Sequence, residues 1–297
     1  MHHLRTLQPA DGIRAFYDGR IEGYRFADDP NWVDDGALAL GIASYAIVDG
    51  DEALVYDTHV SVEHARFIRQ ALEAEGVRRF VVLLSHCHLD HVAGTAAFAD
   101  CEVIATARTA ERLTASRRAI EAGTLSGPPG IDPLVLPTLT FDDRMRLDIG
   151  RLRLEVIHVN IHSDDAAVVW MAEQDVLLAG DTLEDTVTYI AEPDALDTHL
   201  VDLERLSALA PDRILPNHGD PDIIARWGYG KGLISATQDY VRVLLRSREE
   251  PRLRAAPLTQ LVGESVAAGW ITYFAPYEAV HQQNLKAVTG AATMSDP

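Results

Sequence analysis

Phe80-Val81-Val82-Leu83-Leu84-Ser85-His86-Cys87-His88-Leu89-Asp90-His91 joins five consecutive apolar residues to a short polar stretch with three histidines and an aspartate. The apolar run is expected of a β-strand buried on both faces, as in a parallel sheet covered by helices. The polar stretch then lies beyond the strand's carboxyl end, where open α/β sheets place their sites. Imidazole and carboxylate groups are ligands suited to zinc-like ions. His86 and His88 are two apart, so on extended backbone both side chains point the same way. Asp90 and His91 lie further round the turn and face a second point in space. The local geometry therefore allows two ligand pairs for two adjacent ions. A surface histidine cluster is the bland alternative, and the position after a buried strand weighs against it.

Working outward, Ser44–Val48 and Ala53–Tyr56 flank the turn Asp49-Gly50-Asp51 and read as a hairpin. Apolar residues at Ala65, Ile68, Ala71 and Leu72 recur at helical spacing. A short Ala-rich helix, a strand near Val103-Ile104 and a helix over 109–121 should follow. The Gly- and Pro-rich stretch 123–139 is expected to form a loop near the mouth of the site. Four strand signals come next, at 145–147, 152–157, 167–171 and 176–179. A helix over 200–209 and a strand over 213–215 succeed them. After Gly232 the periodicity predicts helices over 233–248, 258–268 and 277–288. The first forty residues read as an irregular lead-in with one edge strand. Mixed strands and helices, with strands ending in polar loops, predict an α/β layered sandwich.

The chain has 297 residues and a formal net charge of −19. So acidic a surface repels phosphate backbones, which excludes nucleic acid as an expected partner. No run approaches the roughly 18 apolar residues of a membrane span, so no membrane is expected either. The N-terminal residues lack the apolar core of a secretory signal. Cys87 and Cys101 are the only cysteines, too few for a disulfide framework. A cytoplasmic location is expected.

The run His86, His88, Asp90, His91 resembles the H-x-H-x-D-H signature of the metallo-β-lactamase fold superfamily. Further matches lie downstream. His162, followed by Ser163-Asp164-Asp165 and an apolar strand, resembles the family's next metal-binding histidine better than His158, which is expected to be a packed strand residue. Leu178-Ala179-Gly180-Asp181 resembles the strand ending in Gly-Asp. Pro216-Asn217-His218-Gly219 resembles the terminal Pro-x-His-Gly. The likeness spans about Ser44 to Gly219. It implies a four-layer αββα sandwich over residues 1–232, with residues 233–297 as a helical C-terminal extension packed on it.

The resemblance also implies a ligand set. One ion would take His86, His88 and His162, and a second would take Asp90, His91 and His218, with Asp181 between them. Two divalent ions are expected, zinc first, with iron and manganese able to use the same ligands. The implied activity is hydrolysis, in which hydroxide generated at the metals attacks the carbonyl of a small ester, lactone, thioester or cyclic amide, while Asp90 assists the leaving group. A periplasmic β-lactamase is disfavoured because such enzymes with this histidine pattern commonly carry cysteine where Asp181 stands. A metal-bearing regulatory protein that binds a small molecule without turning it over is the alternative from another class. For substrate binding the tail offers Tyr229 and Lys231, and then the aromatic patch Trp270, Tyr273 and Phe274. The patch is expected to wall the pocket within one chain or across a homodimer, the plain alternative being a packed turn between helices.

Overall fold

The computed structural model describes residues 3–290. One sheet holds, in spatial order, β1 (Arg5–Ala10), β2 (Ile13–Asp18), β3 (Ile42–Asp49), β4 (Glu52–Tyr56), β5 (Arg79–Leu83), β6 (Glu102–Thr106) and β7 (Leu139–Phe141). Its first four strands are antiparallel, and β4 through β7 run parallel. The second sheet holds β8 (Arg144–Ile149), β9 (Leu152–His158), β10 (Ala167–Met171), β11 (Val176–Gly180) and β12 (Arg213–Pro216). Neighbours in it are antiparallel except for the parallel pair β11 and β12. The helices are α1 (Val62–Ala74), α2 (Leu89–Val92), α3 (Ala107–Glu121), α4 (Leu196–Ala208), α5 (Pro221–Arg226), α6 (Gly232–Ser247), α7 (Pro251–Arg254), α8 (Leu258–Leu261), α9 (Gly263–Ala267) and α10 (Tyr277–Thr289).

Alternation along the strands sorts side chains into two cores. On β3 and β4, Tyr45, Ile47, Leu54 and Tyr56 face the second sheet, whereas Ala46, Ala53 and Val55 face α1 and α3. The inward tyrosines cross between the sheets. The Tyr45 hydroxyl donates to the Pro216 carbonyl at 2.5 Å and the Tyr56 hydroxyl to the Ala167 carbonyl at 2.6 Å. Burying a phenol is favourable only when its hydroxyl finds such a partner. On the outer face, α1 buries Ala65, Ile68 and Leu72, and its N-terminus is capped by Ser61. Each large apolar side chain so buried contributes roughly 1.5–3 kcal/mol. This is the expected αββα arrangement. In the C-terminal part, α6 buries Leu233, Tyr240, Val241 and Leu244, which belong to the same continuous core as the sheet residues.

Two expectations need correction. The lead-in holds a strand pair, β1 and β2, that extends the first sheet beyond β3, and a helical segment over Val33–Leu38. The Asp11-Gly12 turn, with Gly12 at φ +72°, joins the pair; Asp-Gly between apolar runs is the signal that marks it. The helix expected over 258–268 is two short ones, α8 and α9, because Val262 leaves helical geometry at φ −101°, ψ 4° just before Gly263. Glycine costs helix stability through its backbone entropy.

Candidate dinuclear metal centre

β5 delivers the chain to the site, and α2 then turns it. His86 and His88 precede that turn, His88 on extended backbone, and Asp90 and His91 ride on it. The His91 carbonyl accepts from the Thr58 amide at 2.7 Å and from the Thr58 hydroxyl at 3.0 Å, which ties the turn to the end of β4. His162 comes from the loop after β9 and Asp181 from the end of β11. His218 lies just beyond β12. Gly180 adopts φ +57°, and a Cβ there would lie 2.8 Å from the Tyr56 hydroxyl oxygen, so only glycine brings Asp181 this close to the first sheet. His162 itself sits at φ +70°, an uncommon conformation for a side chain other than glycine. It is held there by two bonds: its carbonyl accepts from the Ala191 amide at 2.8 Å, and its Nδ1 donates to the Tyr189 carbonyl at 3.0 Å. Backbone strain of this kind gathers at functional sites.

All seven predicted ligands converge. His86, His88, His162 and Asp181 form one group of donor atoms, and Asp90, His91 and His218 form a second. Asp181 Oδ2 stands between them, 3.1 Å from His91 Nε2, 3.4 Å from His218 Nε2, 3.7 Å from His86 Nε2 and 3.8 Å from His162 Nε2. The outer nitrogens are committed. His91 Nδ1 donates to Asp57 at 2.9 Å, His218 Nδ1 to the Gly41 carbonyl at 2.7 Å, and His86 Nδ1 lies 2.9 Å from the Ser85 hydroxyl. For His91, His162 and His218 this fixes the tautomer, leaving each Nε2 lone pair aimed inward.

Whether these residues fit divalent ions can be tested on the arrangement itself. His162 Nε2 lies 3.2 Å from His86 Nε2 and 3.0 Å from His88 Nδ1. His162 Nε2 aims its lone pair into this group, and three imidazole nitrogens so close together offer a cation three donors. Burial depresses the pKa of His86, His88 and His162, so the imidazoles favour the neutral, ligating form. Burial acts the same way on His91 and His218, but Asp181 foremost and Asp90 with it override that effect and push both upward. The second group thus also calls for positive charge. Asp181 Oδ1 is buried with no hydrogen-bond partner, an orphan acceptor that a cation would satisfy. The donor set fits two divalent ions.

His158 stays outside the cluster, its Nε2 donating to the Asp164 carbonyl at 2.8 Å. Cys87 is half-buried, and burial pushes its thiol up to about 12, so it is no thiolate nucleophile. Two residues absent from the sequence reading belong here. Asp57 is fully buried and accepts from the Ser85 amide (2.6 Å), the Ser85 hydroxyl (2.7 Å), the Asn217 side-chain amide (2.6 Å) and His91. Glu184 is buried on the cavity floor, accepting from the Tyr189 amide at 2.9 Å and the Tyr277 hydroxyl at 3.1 Å. Burial, helped by the Asp181 charge, pushes its carboxyl up to about 8.

A cavity of about 550 Å³ opens over the metal ligands, with Leu125 and Ser126 of the Gly- and Pro-rich loop at its edge, as expected. None of Tyr229, Lys231, Trp270, Tyr273 and Phe274 lines it. Tyr229, Trp270 and Tyr273 line a separate cavity of about 470 Å³, and Phe274 lies under the Arg20 guanidinium, 4.2 Å from its ring centre. The cause is Asp185. This buried carboxylate accepts from the Thr272 amide (2.7 Å), the Thr272 hydroxyl (2.6 Å) and the Tyr229 hydroxyl (2.7 Å). These bonds hold Thr272 and Tyr229 on the far side of the loop that follows Asp181. The tail instead reaches the metal cavity through α10, by Ala279, Val280 and Gln283.

Comparison with known proteins agrees with this architecture. No curated protein matches the sequence significantly. Among solved structures, a metallo-beta-lactamase from Pontibacter korlensis is 18% identical, covers 81% of this chain and 99% of its own, and superposes with a TM-score of 0.60. The DIM-1 metallo-beta-lactamase is 17% identical over 81% of this chain and 97% of its own, with a TM-score of 0.59. VMB-1 is 15% identical over 82% and 98%, with a TM-score of 0.60. Identities this low establish the shared fold alone. The family model described as the metallo-beta-lactamase superfamily matches residues 38–236, a stretch that includes every one of the seven ligands, and the chain belongs to that superfamily.

Proposed function

We propose that the protein is a dinuclear metal-dependent hydrolase acting on the carbonyl of a small ester, lactone, thioester or cyclic amide. The observation that carries this reading is the place of Asp181, one carboxylate oxygen within 3.1–3.8 Å of four imidazole nitrogens drawn from both donor groups. His86, His88 and His162 would hold one ion, Asp90, His91 and His218 the other, and Asp181 would bridge. Two such ions, zinc foremost, supply Lewis acidity at the carbonyl oxygen and lower the pKa of water.

The remaining work falls to the chain's own groups. Asp90 is the least buried of the carboxylate ligands, at 18% exposure against 5% for Asp181, and its Oδ2 lies 3.4 Å from His218 Nε2. It faces the cavity, and as an ionised carboxylate it can take a proton from the attacking water and pass it to the departing oxygen, sulfur or nitrogen. The walls over the ligands keep bulk water from the reacting carbonyl. A net charge of −19 favours a small molecule over nucleic acid. Among the described residues no helix is long and apolar enough to cross a membrane.

The test combines metal analysis with a substrate panel. Zinc-saturated protein should hold close to two ions per chain and turn over at least one of the four substrate classes, with activity lost to a chelator and restored by zinc. One ion per chain at saturation would overturn the bridging role of Asp181. Two ions without turnover of any class would favour a metal-bearing binding protein instead.

A further inference from the structure

The cavity over the ligands has a polar floor and walls of a different character. Metal ligands and Glu184 make the floor. Trp32 and Leu40, either side of the helical segment Val33–Leu38, form one wall, and Val280 of α10 and Leu125 of the loop also line the cavity. Leu125 is 50% exposed, an apolar side chain left at a rim where water would favour a polar one. Among the described residues no Arg or Lys lines the cavity, and the charged group found beyond the floor is Asp35, exposed at the edge.

Nearby cations are committed elsewhere. Arg20 donates from Nε to the Leu40 carbonyl at 2.6 Å and from Nη2 to the Asp185 carbonyl at 3.0 Å, and it covers Phe274. Arg112 pairs with Asp164 and Glu192. An anionic group on a substrate arm lying against these walls would thus lose its water and gain no partner from them. An apolar arm would gain about 25 cal/mol for each Å² it buries there.

From these walls, and resting on the hydrolase reading above, we infer that the substrate is an uncharged ester or lactone with an apolar arm. Substrates bearing a carboxylate or phosphate on that arm are discriminated against. Water supplies the oxygen of the new acyl C–O bond, the acyl–alkoxy bond breaks, and the alkoxy oxygen takes up a proton. The neutral substrate thereby becomes a carboxylate.

The test uses zinc-loaded protein and paired γ-lactones with a hexyl side chain, one twin ending in methyl and the other in carboxylate, together with the corresponding γ-lactams as ligands for calorimetric titration. The methyl twin should react and bind at least about tenfold better, and shortening its arm should cost roughly three- to fourfold per methylene. Gln283→Arg and Leu125→Arg, both at exposed positions, should each narrow the gap between twins by supplying the missing cation. Equal or better binding of the carboxylated lactam, or no binding of either, would overturn the inference. Absent turnover with the binding preference intact supports this inference and overturns the hydrolase reading alone.

Discussion

Asp57 accepts a hydrogen bond from His91 Nδ1 at 2.9 Å while His91 Nε2 points at Asp181, 3.1 Å away. A carboxylate outside the two donor groups thereby turns an imidazole of one group toward Asp181. Because Asp57 also takes the Ser85 and Asn217 amides, it joins three of the segments that carry ligands, those ending in His86, His91 and His218.

Replacing Asp57 with Ala should lower metal affinity about 10- to 100-fold, the usual cost of losing an outer partner of a ligating imidazole. The Asn variant, which keeps one acceptor and the shape, should lose less. Competition with a chromogenic chelator measures both. An affinity unchanged in a folded Asp57→Ala variant would remove Asp57 from the centre.

His162→Ala should cost more than that in turnover and leave about one ion per chain. His158→Ala should keep both ions, lose one net hydrogen bond of about 1 kcal/mol and melt roughly 2–4 °C lower. Metal analysis beside calorimetry separates the two. Loss of metal in the His158 variant but not in the His162 variant would reverse their assignments.

Trp270→Ala and Tyr273→Ala should leave kcat/KM within about threefold, since neither residue lines the metal cavity and pocket walls set specificity. Trp270 packs on the start of α6, where a Cβ on Gly232 would lie 2.3 Å from its ring. These variants should therefore register in stability. Sedimentation of the same proteins shows whether the two partly exposed rings form a contact between copies.

The ligands were legible because their spacing is short-range. His86 to His91 fill one loop after one strand, and Asp181 and His218 each end an apolar run that announces itself. Asp57 was not legible, since a single aspartate after a strand looks like any turn, and only pairing of β4 with β5 sets it beside Ser85. The tail's contribution to the cavity walls is not legible for a similar reason. Aromatic density drew attention to 270–274, while Ala279, Val280 and Gln283 sit on an ordinary amphipathic helix whose docking depends on buried Asn284, which bonds the Ile190 amide and the Thr188 carbonyl.

Acid should destabilise the fold through His199, which is buried with both ring nitrogens unpartnered. Burial lowers its pKa from 6.5 to about 4. The unfolded chain takes up the proton more readily, so the stability is complete above about pH 6.5 and is lost as pH falls towards 4. Between pH 6.5 and 5 the loss is about 2 kcal/mol. His199→Leu should flatten that slope relative to the parent in urea titrations of metal-free protein. Parallel slopes would show that His199 does not carry it.

The three hydrogen bonds on Asp185 bear on how such a chain can change by recombination. A tail exchanged for a foreign one would strip the Thr272 amide and hydroxyl from a buried carboxylate four residues past Asp181, leaving it the Tyr229 hydroxyl of its three partners, and an under-satisfied buried charge is costly. Tail and loop 182–188 therefore depend on each other for their hydrogen bonds. A graft that aims to alter what this site accepts has to carry both segments across.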